Sequence, residues 1–144
     1  MKIYGPGYLH DSAILGESGI VGAMHHIDRD VVIGEDCRIQ GQVYICPWVT
    51  IGDNVFIAPG VIFTNDRYPP SGKLIKTVIE DNVTIGAGSV IGPGITIGEG
   101  SVVGMGSVVV DSVLPNTLVY GNPAVWRGSA EDYRRKQKEY RGDK

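Results

Sequence analysis

The chain has 144 residues and a formal net charge of −3, with 42% hydrophobic and 20% charged residues. This balance excludes an intrinsically disordered chain, and the length is sufficient for one domain with a substantial core. Its 21 glycines, 18 valines and 16 isoleucines stand against only 5 leucines. That composition disfavours a helical bundle and indicates many short strands separated by turns.

Targeting and redox features are few. The first fifteen residues, MKIYGPGYLHDSAIL, lack the pattern of a secretory signal peptide, because they contain a proline and several polar groups. No apolar run approaches the roughly 18 residues that a membrane-spanning helix needs, so we expect no membrane span. Cys37 and Cys46 form neither a C-x-x-C motif nor a disulfide framework, which favours a cytoplasmic protein.

Charge is unevenly distributed along the chain. Residues 1–126 contain 6 basic and 12 acidic side chains, whereas seven basic and four acidic side chains follow from Arg127 onward. The acidic body is unsuited to nucleic acid, which binds proteins mainly through its phosphates, and we expect no nucleic-acid partner. The basic tail either meets a phosphorylated ligand or forms a solvated surface.

A six-residue repeat organises most of the chain. Every sixth residue is large and apolar from Ile3 to Phe63, and the repeat resumes from Ile79 to Val109, which gives 17 hexads. With 42% hydrophobic residues, chance very rarely produces such a run. The fifth position of each hexad is mostly small or valine, and the second is often glycine.

These positions predict an all-β protein folded as a parallel β-helix. Side chains alternate along a strand, so the first and fifth positions point to the same side of a strand that runs through positions five, six and one. Positions two to four then turn a corner, where glycine, asparagine, aspartate and proline are favoured. Three strands close one coil, and the 17 hexads make about six triangular coils. The repeat does not fix the handedness of the coil.

The repeat is interrupted once, directly after Phe63. The segment TNDRYPPSGK follows, and Ile79 lies far enough along the chain that ten residues must be inserted. We expect a loop at about residues 66–77. Loops on a rigid scaffold often carry function, although a tolerated surface insertion has the same pattern.

The C-terminal segment departs from the repeat after Val113 and turns at Asn122-Pro123. Ser129 is a favourable N-cap for a helix with acidic residues in its first turn and basic residues later, the order that the helix dipole favours. We expect residues 1–126 to form the β-helix domain and residues 127–144 a basic helix and tail. The helix is expected to cover an end of the stack, where strand edges are otherwise exposed.

The repeat segments IGDNVFIAPGVI and VTIGAGSVIGPGITIGEGSVVGMGSVV resemble the hexapeptide-repeat acyltransferases over roughly residues 3–126. That resemblance implies a left-handed β-helix and a homotrimer with active sites between subunits. FTNDRYPPS and YGNPAVWRG look like the nucleotide-activated amino-sugar N-acetyltransferases, and the His26-Ile27 step before IGEDCRIQGQV is similar to the branch that acts on 3-amino sugars. The implied activity is N-acetylation of an amino sugar on a nucleotide diphosphate, with acetyl coenzyme A as co-substrate, for surface-polysaccharide synthesis.

The resemblance also suggests which residues do the chemistry. Amine acetylation needs a neutral amine and a polarised thioester carbonyl. We expect Asp66 to take a proton or hold the sugar ammonium, Asn65 to bind a substrate amide or hydroxyl, and His26 to contact substrate. Further substrate contacts are expected from Arg67, Tyr68 and Gln42.

One departure from the family pattern concerns the catalytic base. Some relatives use two histidines in the stretch that corresponds to CPWVTIGDNVFIAPG, where this chain has Pro47 and Phe56. No histidine follows His26. An alternative is that the amine attacks unaided and that positioning supplies most of the rate.

The spacing of the repeat constrains the two histidines of the pair His25-His26. His25 falls on an interior position, where we expect a buried, hydrogen-bonded side chain. His26 points outward and stacks, two coils on, over Ile62, roughly 10 Å from the coil that carries the loop. A direct His26–Asp66 pair within one subunit is therefore not expected, although a neighbouring subunit could close the gap.

For coenzyme A, the resemblance implies a groove lined by small residues at the corners of two coils. The matching positions are Gly86, Ala87, Gly104 and Met105. The adenine end would lie near Val119–Pro123, and the phosphates near basic residues of the tail. The residues expected there are Pro123, Arg127, Arg134 and Lys136. The packing of the coils by itself already explains small residues at the corners.

Two other protein classes share the repeat. The segment VVGMGSVVVD resembles the closing motif of the γ-class carbonic anhydrases, but Ala87 and Gly92 stand where that class has two of its three metal-binding histidines. We therefore expect no metal. A non-catalytic β-helix scaffold and a sugar O-acetyltransferase remain as alternatives.

Overall fold

The computed structural model describes residues 1–143 as a column of short strands wound into stacked coils with three flat faces. Nineteen strands are followed by a helix. In chain order they are β1 (Lys2–Ile3), β2 (Tyr8–Leu9), β3 (Ile14–Leu15), β4 (Gly19–Val21), β5 (His26–Ile27), β6 (Val32–Ile33), β7 (Cys37–Ile39), β8 (Tyr44–Ile45), β9 (Val49–Ile51), β10 (Phe56–Ile57), β11 (Ile62–Phe63), β12 (Thr77–Ile79), β13 (Thr84–Ile85), β14 (Val90–Ile91), β15 (Thr96–Ile97), β16 (Val102–Val103), β17 (Val108–Val109), β18 (Thr117–Gly121), β19 (Ala124–Ser129) and α1 (Ala130–Arg141).

Each face is one parallel sheet that takes every third strand. Face A contains β1, β4, β7, β10, β13, β16 and β18; face B contains β2, β5, β8, β11, β14 and β17; and face C contains β3, β6, β9, β12 and β15. Successive strands of a face pair in the register that the hexads require, as when Ile27 lies beside Ile45. We call the edges between the faces corner AB, corner BC and corner CA.

The stack has about seven levels, one more than the six predicted from the hexads. The extra level is β18, in which Val119 pairs with Val103. Val103 and Val119 are 16 residues apart, whereas the repeat requires 18, so β18 lies outside the phase of the repeat. Strand β19 then turns back and pairs antiparallel with β18 at the end of face A.

The core fills the centre of the column with the first and fifth residues of each hexad. Its largest fully buried side chains are Phe63 and a ladder of isoleucines from Ile27 to Ile97. His25 is 5% exposed, and its Nδ1 lies 2.8 Å from the Gly22 carbonyl oxygen, so the predicted buried, hydrogen-bonded role is confirmed. Both cysteines are buried and free.

The corners require backbone in the left-handed region, and most have one residue with positive φ. Asparagine tolerates this conformation well, as at Asn54 (φ 54°) and Asn82 (φ 61°). Two bulky residues, Met24 (φ 63°) and Trp48 (φ 68°), adopt it as well. Such residues rarely do so, and each costs roughly 1–2 kcal/mol.

The loop lies at corner BC of the fourth level, between β11 and β12. Ile57 pairs with Ile85, a step of 28 residues where neighbouring coils step by 18, so the predicted ten-residue insertion is confirmed. Asp66 and Leu74 form an isolated antiparallel bridge that closes the loop on itself. The insertion therefore leaves the stacking of the coils undisturbed.

The helix begins as predicted, because the Ser129 side chain accepts a hydrogen bond from the Asp132 N–H. Its location differs from the expectation. It runs beside face A near corner CA, where the Arg134 guanidinium donates to the Gly100 carbonyl, and the end of the stack is left to β19 and a cavity lined by Val119 and Trp126. This helix, the one found within residues 1–143, is too short and too polar to cross a membrane.

Candidate functional site

The residues predicted to bind coenzyme and substrate lie mostly along the two edges of face B. Gly86 follows β13 and Gly104 follows β16, so both stand at corner AB, on the fifth and sixth levels. The loop stands at corner BC on the fourth level. The outer surface of face B lies between these two edges.

The loop and the glycine corner are at similar heights along the column. An Arg67 guanidinium nitrogen lies 3.4 Å from the Pro93 carbonyl oxygen, one level above the start of the loop, so the loop leans toward the fifth level. Beneath it is a cavity of about 460 Å³. Its floor is the outward side of face B, with Ile62, Val90 and Val108, and Asn65 lies at its loop side. The cavity has an apolar floor, and its polar lining lies on the side of the loop.

Packing accounts for the glycines of corner AB. A Cβ on Gly86 would collide with the backbone nitrogen of Met105, and a Cβ on Gly104 would lie 2.8 Å from the Cβ of Tyr120. The coils thus require both glycines regardless of any ligand. Ala87 and Met105 are different, because both are exposed and Met105 is 82% accessible. A ligand at this corner would meet those two residues and the backbone beside them.

Asp66 organises the loop. Its carboxylate accepts hydrogen bonds from the Ser71 hydroxyl and from the N–H groups of Tyr68, Ser71 and Gly72. The Ser71 hydroxyl above all, with the three N–H groups, outweighs desolvation and holds the pKa of Asp66 below its ordinary value. A carboxylate with its oxygens so occupied is a poor proton acceptor at neutral pH.

Asn65 ties the base of the loop to the coil below. Its side-chain nitrogen lies 3.3 Å from the Pro47 carbonyl oxygen, and its own carbonyl accepts from the Ile75 N–H at 2.9 Å. The side-chain oxygen of Asn65 remains available to a ligand in the cavity. Tyr68 is 80% exposed at the outer side of the loop.

His26 lies on face B, two levels below the loop. Its ring is stacked between Tyr8 and Tyr44, with ring centroids 4.7 and 4.9 Å away. Tyr44 in turn pairs with Ile62, so the predicted two-level separation from the loop coil is confirmed. The structure therefore does not bring His26 and Asp66 together within one chain.

Asp28 is a partner of His26 that the sequence interpretation missed. Its carboxylate oxygen lies 3.3 Å from Nε2 of His26. Burial tends to raise the pKa of Asp28, but hydrogen bonds from the Arg29 N–H and His26 outweigh it and lower the pKa. The tyrosines are found by stepping 18 residues from His26 in either direction, and Asp28 by the alternation of side chains along the chain.

Two further groups border the cavity without being reactive. Burial raises the pKa of the Cys46 thiol to about 12, so it is protonated at neutral pH and is not a nucleophile. Burial also raises the pKa of Tyr44, which keeps its phenol neutral and able to donate a hydrogen bond. Chemistry in the cavity therefore does not pass through a cysteine thiolate.

The remaining predicted residues divide between two corners. Gln42 lies at corner AB, two coils below Gly86. Pro123 lies in the turn between β18 and β19, and the Arg127 guanidinium lies over the Tyr120 ring at 4.7 Å. Arg134 lies apart, at corner CA. Within one chain, Arg134 therefore lies away from corner AB, although the sequence predicted it to bind coenzyme A together with the glycines of that corner.

A metal site is not indicated by the described part of the chain. Within residues 1–143 no three histidine, cysteine, aspartate or glutamate side chains are grouped so that they could hold a metal ion. His10 and His26 lie on the lower levels of face B and its corner, away from the cavity beneath the loop.

Comparison with known proteins identifies the family. The profile described as bacterial transferase hexapeptide (six repeats) matches residues 30–65 and 76–111, which together are half of the chain. A 2,3,4,5-tetrahydropyridine-2,6-dicarboxylate N-acetyltransferase of Halalkalibacterium halodurans is 52% identical over 75 residues. That match covers 52% of this chain and spans only 30% of the length of the relative.

Two solved structures are similar over most of the chain. A hexapeptide-repeat acetyltransferase of Vibrio cholerae O1 biovar eltor, complexed with acetyl coenzyme A, superposes with a TM-score of 0.74 at 34% identity, covering 83% of this chain and 71% of that one. A maltose O-acetyltransferase of Clostridium difficile 630 gives a TM-score of 0.52 at 27% identity, covering 85% and 68%.

The predicted fold class is confirmed: a left-handed parallel β-helix with a loop in the middle and a short C-terminal helix. The repeat, the stacked coils and the similar proteins agree in this assignment. The chain belongs to the bacterial transferase hexapeptide family.

Proposed function

We propose that this protein transfers an acetyl group from acetyl coenzyme A to the amino group of a sugar carried on a nucleotide diphosphate. Family membership and the acetyl-coenzyme-A complex of the Vibrio cholerae protein support the donor. The acceptor rests on the segments FTNDRYPPS and YGNPAVWRG, which look like those of amino-sugar N-acetyltransferases. Surface-polysaccharide synthesis in the cytoplasm is part of the same proposal.

The observation that carries the proposal is the cavity on face B. Corner AB, with Ala87 and Met105, offers an exposed edge along which a pantetheine arm can lie against backbone amides. The loop, with Asn65, forms the opposite edge at nearly the same height. A thioester lying over Val90 and Val108 would rest on apolar side chains, with the polar groups of the loop on one side of its carbonyl.

The reaction needs no covalent enzyme intermediate. A neutral amine attacks the thioester carbonyl, a C–N bond forms, the C–S bond breaks, and the amine loses a proton as coenzyme A leaves as the thiol. Cys46 is excluded as a nucleophile by the raised pKa of its thiol. Positioning of the two substrates by the two edges supplies much of the rate.

His26 is the proposed proton acceptor. Its Nε2 is held by Asp28, and its ring is clamped between two tyrosines, so its orientation is fixed. His26 lies two levels below the loop of its own chain and three levels below Val90, so it can accept the proton only where assembly brings a neighbour's loop and thioester beside it. Asp66 holds the loop in shape, and Asn65 contacts the acceptor.

This arrangement implies a homotrimer with active sites between subunits. Face C offers an uncharged surface for assembly, because its outward side chains are Ile14, Val32, Thr50, Val78 and Thr96. Ile14 is 64% exposed in the single chain. An uncharged row that includes exposed aliphatic side chains is typical of a surface that a second copy covers.

A second candidate function is sugar O-acetylation. The likeness to the Clostridium difficile maltose O-acetyltransferase favours it, since that protein acts on a sugar without an amino group. Acetylation of a hydroxyl needs a stronger base than acetylation of a neutral amine, so the two functions differ in their dependence on His26.

The test is a thiol-release assay with acetyl coenzyme A and a panel of nucleotide amino sugars, with matched hydroxyl sugars and maltose as controls. We expect release only with an amino sugar and an amide in the product. An ester product with hydroxyl sugars would favour O-acetylation. A protein whose melting temperature does not change with millimolar coenzyme A would be a scaffold instead.

A further inference from the structure

A second groove lies on the far side of the molecule from the cavity. It runs between helix α1 and face A, and its volume is about 670 Å³. Arg134, Gln137 and Arg141 line its helix wall, at spacings that place them on one side of the helix. Arg38, on β7, lines the opposite wall. Three arginines thus converge on one groove.

Two of these arginines have their charge uncompensated by a carboxylate. In the part of the chain that the structure describes, no acidic group lies within ion-pair distance of Arg38 or Arg134. Arg38 instead lies over the Phe56 ring at 5.1 Å, which holds the guanidinium in place while leaving its N–H edge free. Arg134 uses one nitrogen to bond the Gly100 carbonyl at 2.6 Å.

Among the described residues, the acidic side chains of corner CA form no ion pair with Arg38 or Arg134. Glu80 and Asp81 line the other side of the corner, on face C, and their carboxylates accept backbone N–H groups of Glu99 and Asp53. Glu99 is the acidic side chain that lines the groove itself. Arg141 is paired at its rim with Asp143, at 2.8 Å.

Neutral amides complete the lining of the groove. Asn54 donates to the side-chain oxygen of Asn82 at 2.8 Å, and Asn116 lies at the same corner on the seventh level. These side chains offer donors without adding negative charge. A groove with fixed guanidinium groups and amide donors is suited to a compact anion.

From this arrangement we infer that the groove between α1 and face A binds the phosphate groups of a small phosphorylated ligand. Arg38 and Arg134 grip the phosphate oxygens from opposite walls, and Arg141 closes the open end. Nucleic acid does not fit the acidic surroundings, since it needs an extended positive surface. The ligand is either coenzyme A, through its 3′-phosphate or diphosphate, or a separate nucleoside diphosphate.

The test is calorimetric titration of the full chain with four probes: inorganic pyrophosphate, uridine diphosphate, coenzyme A and dephospho-coenzyme A. Arg38→Gln and Arg141→Gln each remove one guanidinium and leave intact the hydrogen bond from Arg134 to Gly100 that holds the helix against the column. Arg134→Gln is measured beside them, with circular dichroism to confirm its fold. Arg135→Gln is the matched control, because Arg135 on the same helix pairs with Asp132 and Glu139 outside the groove.

We expect wild-type protein and the Arg135→Gln control to bind at least one probe equally. The three groove variants are expected to raise its Kd about tenfold each, and added salt to weaken binding. If coenzyme A binding is weakened but dephospho-coenzyme A binding is not, the ligand is the coenzyme 3′-phosphate; weakened uridine diphosphate binding alone identifies a nucleotide. Unchanged Kd values for every probe in all three variants would overturn the inference. No turnover is involved, so the result is independent of the proposed acetyl transfer.

Discussion

The two edges of face B differ in structure: one is a closely packed corner, and the other carries an inserted loop. At corner AB, the coil above approaches so closely that Gly86 and Gly104 have no room for a side chain. At corner BC, ten extra residues leave the stack and are held by polar bonds to Asp66 and Asn65. The coils would close without the loop, whereas a side chain at Gly86 or Gly104 would force the neighbouring residues of the next coil to shift.

This difference separates stability from function. Packing determines which residues stand at corner AB. A ligand there can contact only the backbone and the exposed side chains of Ala87 and Met105. Residues of the loop are released from packing and are free to be selected for chemistry. Substitutions at corner AB should therefore lower mainly the stability of the protein, whereas substitutions in the loop should lower mainly its activity.

The largest effect is expected on the face between the two edges, for His26→Phe. Phenylalanine keeps the aromatic stack with Tyr8 and Tyr44 but cannot accept a proton. We expect kcat/KM to fall by about 10²–10⁴, the usual contribution of a general base, with little change in melting temperature. Tyr8→Phe, which keeps the stack and the base, should retain activity. Equal activity of both variants would remove His26 from the mechanism.

At the glycine edge, Gly86→Ala is expected to cost stability. The added methyl group meets the Met105 backbone, which cannot move without shifting a whole coil. We expect a loss of about 1–3 kcal/mol in the free energy of unfolding, measured by denaturant titration. Gly106→Asn is the control at the same corner, since asparagine tolerates the φ of 67° and no atom lies within 4 Å of the new Cβ.

At the loop edge, Asp66→Asn is expected to cost activity more than stability. It weakens four hydrogen bonds that shape the loop, so kcat/KM should fall roughly tenfold while the melting temperature changes little. Asp111→Asn, at the same corner higher in the stack, is the matched control. Wild-type kcat/KM in both Asp66→Asn and Asn65→Ala would show that the loop is only a surface insertion.

The pH dependence sharpens the role of Asp66. Its pKa is lowered from the ordinary 3.8, so its bonds to the loop are complete above that pH and are lost only as pH falls through the lower value. The shape of the kcat/KM profile between pH 5 and pH 9 should therefore be the same in wild type and Asp66→Asn, with only its height reduced. Loss of a limb of the profile in the variant would make Asp66 the base.

The smallest effect is a gain in stability from Met24→Gly at a lower corner. Met24 has a φ of 63° and is 59% exposed, so it stores strain and packs little. Glycine relieves the strain but adds freedom to the unfolded chain, and we expect a net gain of up to about 1 kcal/mol. Destabilisation would show that the exposed side chain makes contacts in the assembled protein.

The sequence predicted much of the fold because each coil repeats the same local rule. The interior ladder, the burial of His25, the inserted loop and the Ser129 cap all follow from positions within a hexad or a helix turn. Strand β18 was missed because Val119 stacks on Val103 outside the hexad phase. The side of the column on which α1 docks was also mistaken, because the repeat says nothing about segments that lie outside it.

The candidate site was less predictable, because it depends on which corner each residue occupies. The family resemblance put Gly86 and Met105 at the corners of two coils, and the break in the repeat put Asn65 beside the loop. The structure adds that these positions flank the same face. Asp28 was missed because the alternation of side chains, which puts it on the same side of the chain as His26, was not followed past the end of the strand. Arg134 was grouped with the coenzyme residues by its charge, whereas the path of α1 brings it to the groove that Arg38 also lines.

We propose that the acetyl group is transferred on face B, between corner AB and the loop. The most direct measurement is the position of the coenzyme sulfur in a crystal structure of the protein with coenzyme A. We predict that the sulfur lies over Val90 and Val108, with the pantetheine arm along Ala87 and Met105 and the loop on its other side. A sulfur atom on face A or face C would show that the acetyl group is not transferred on face B.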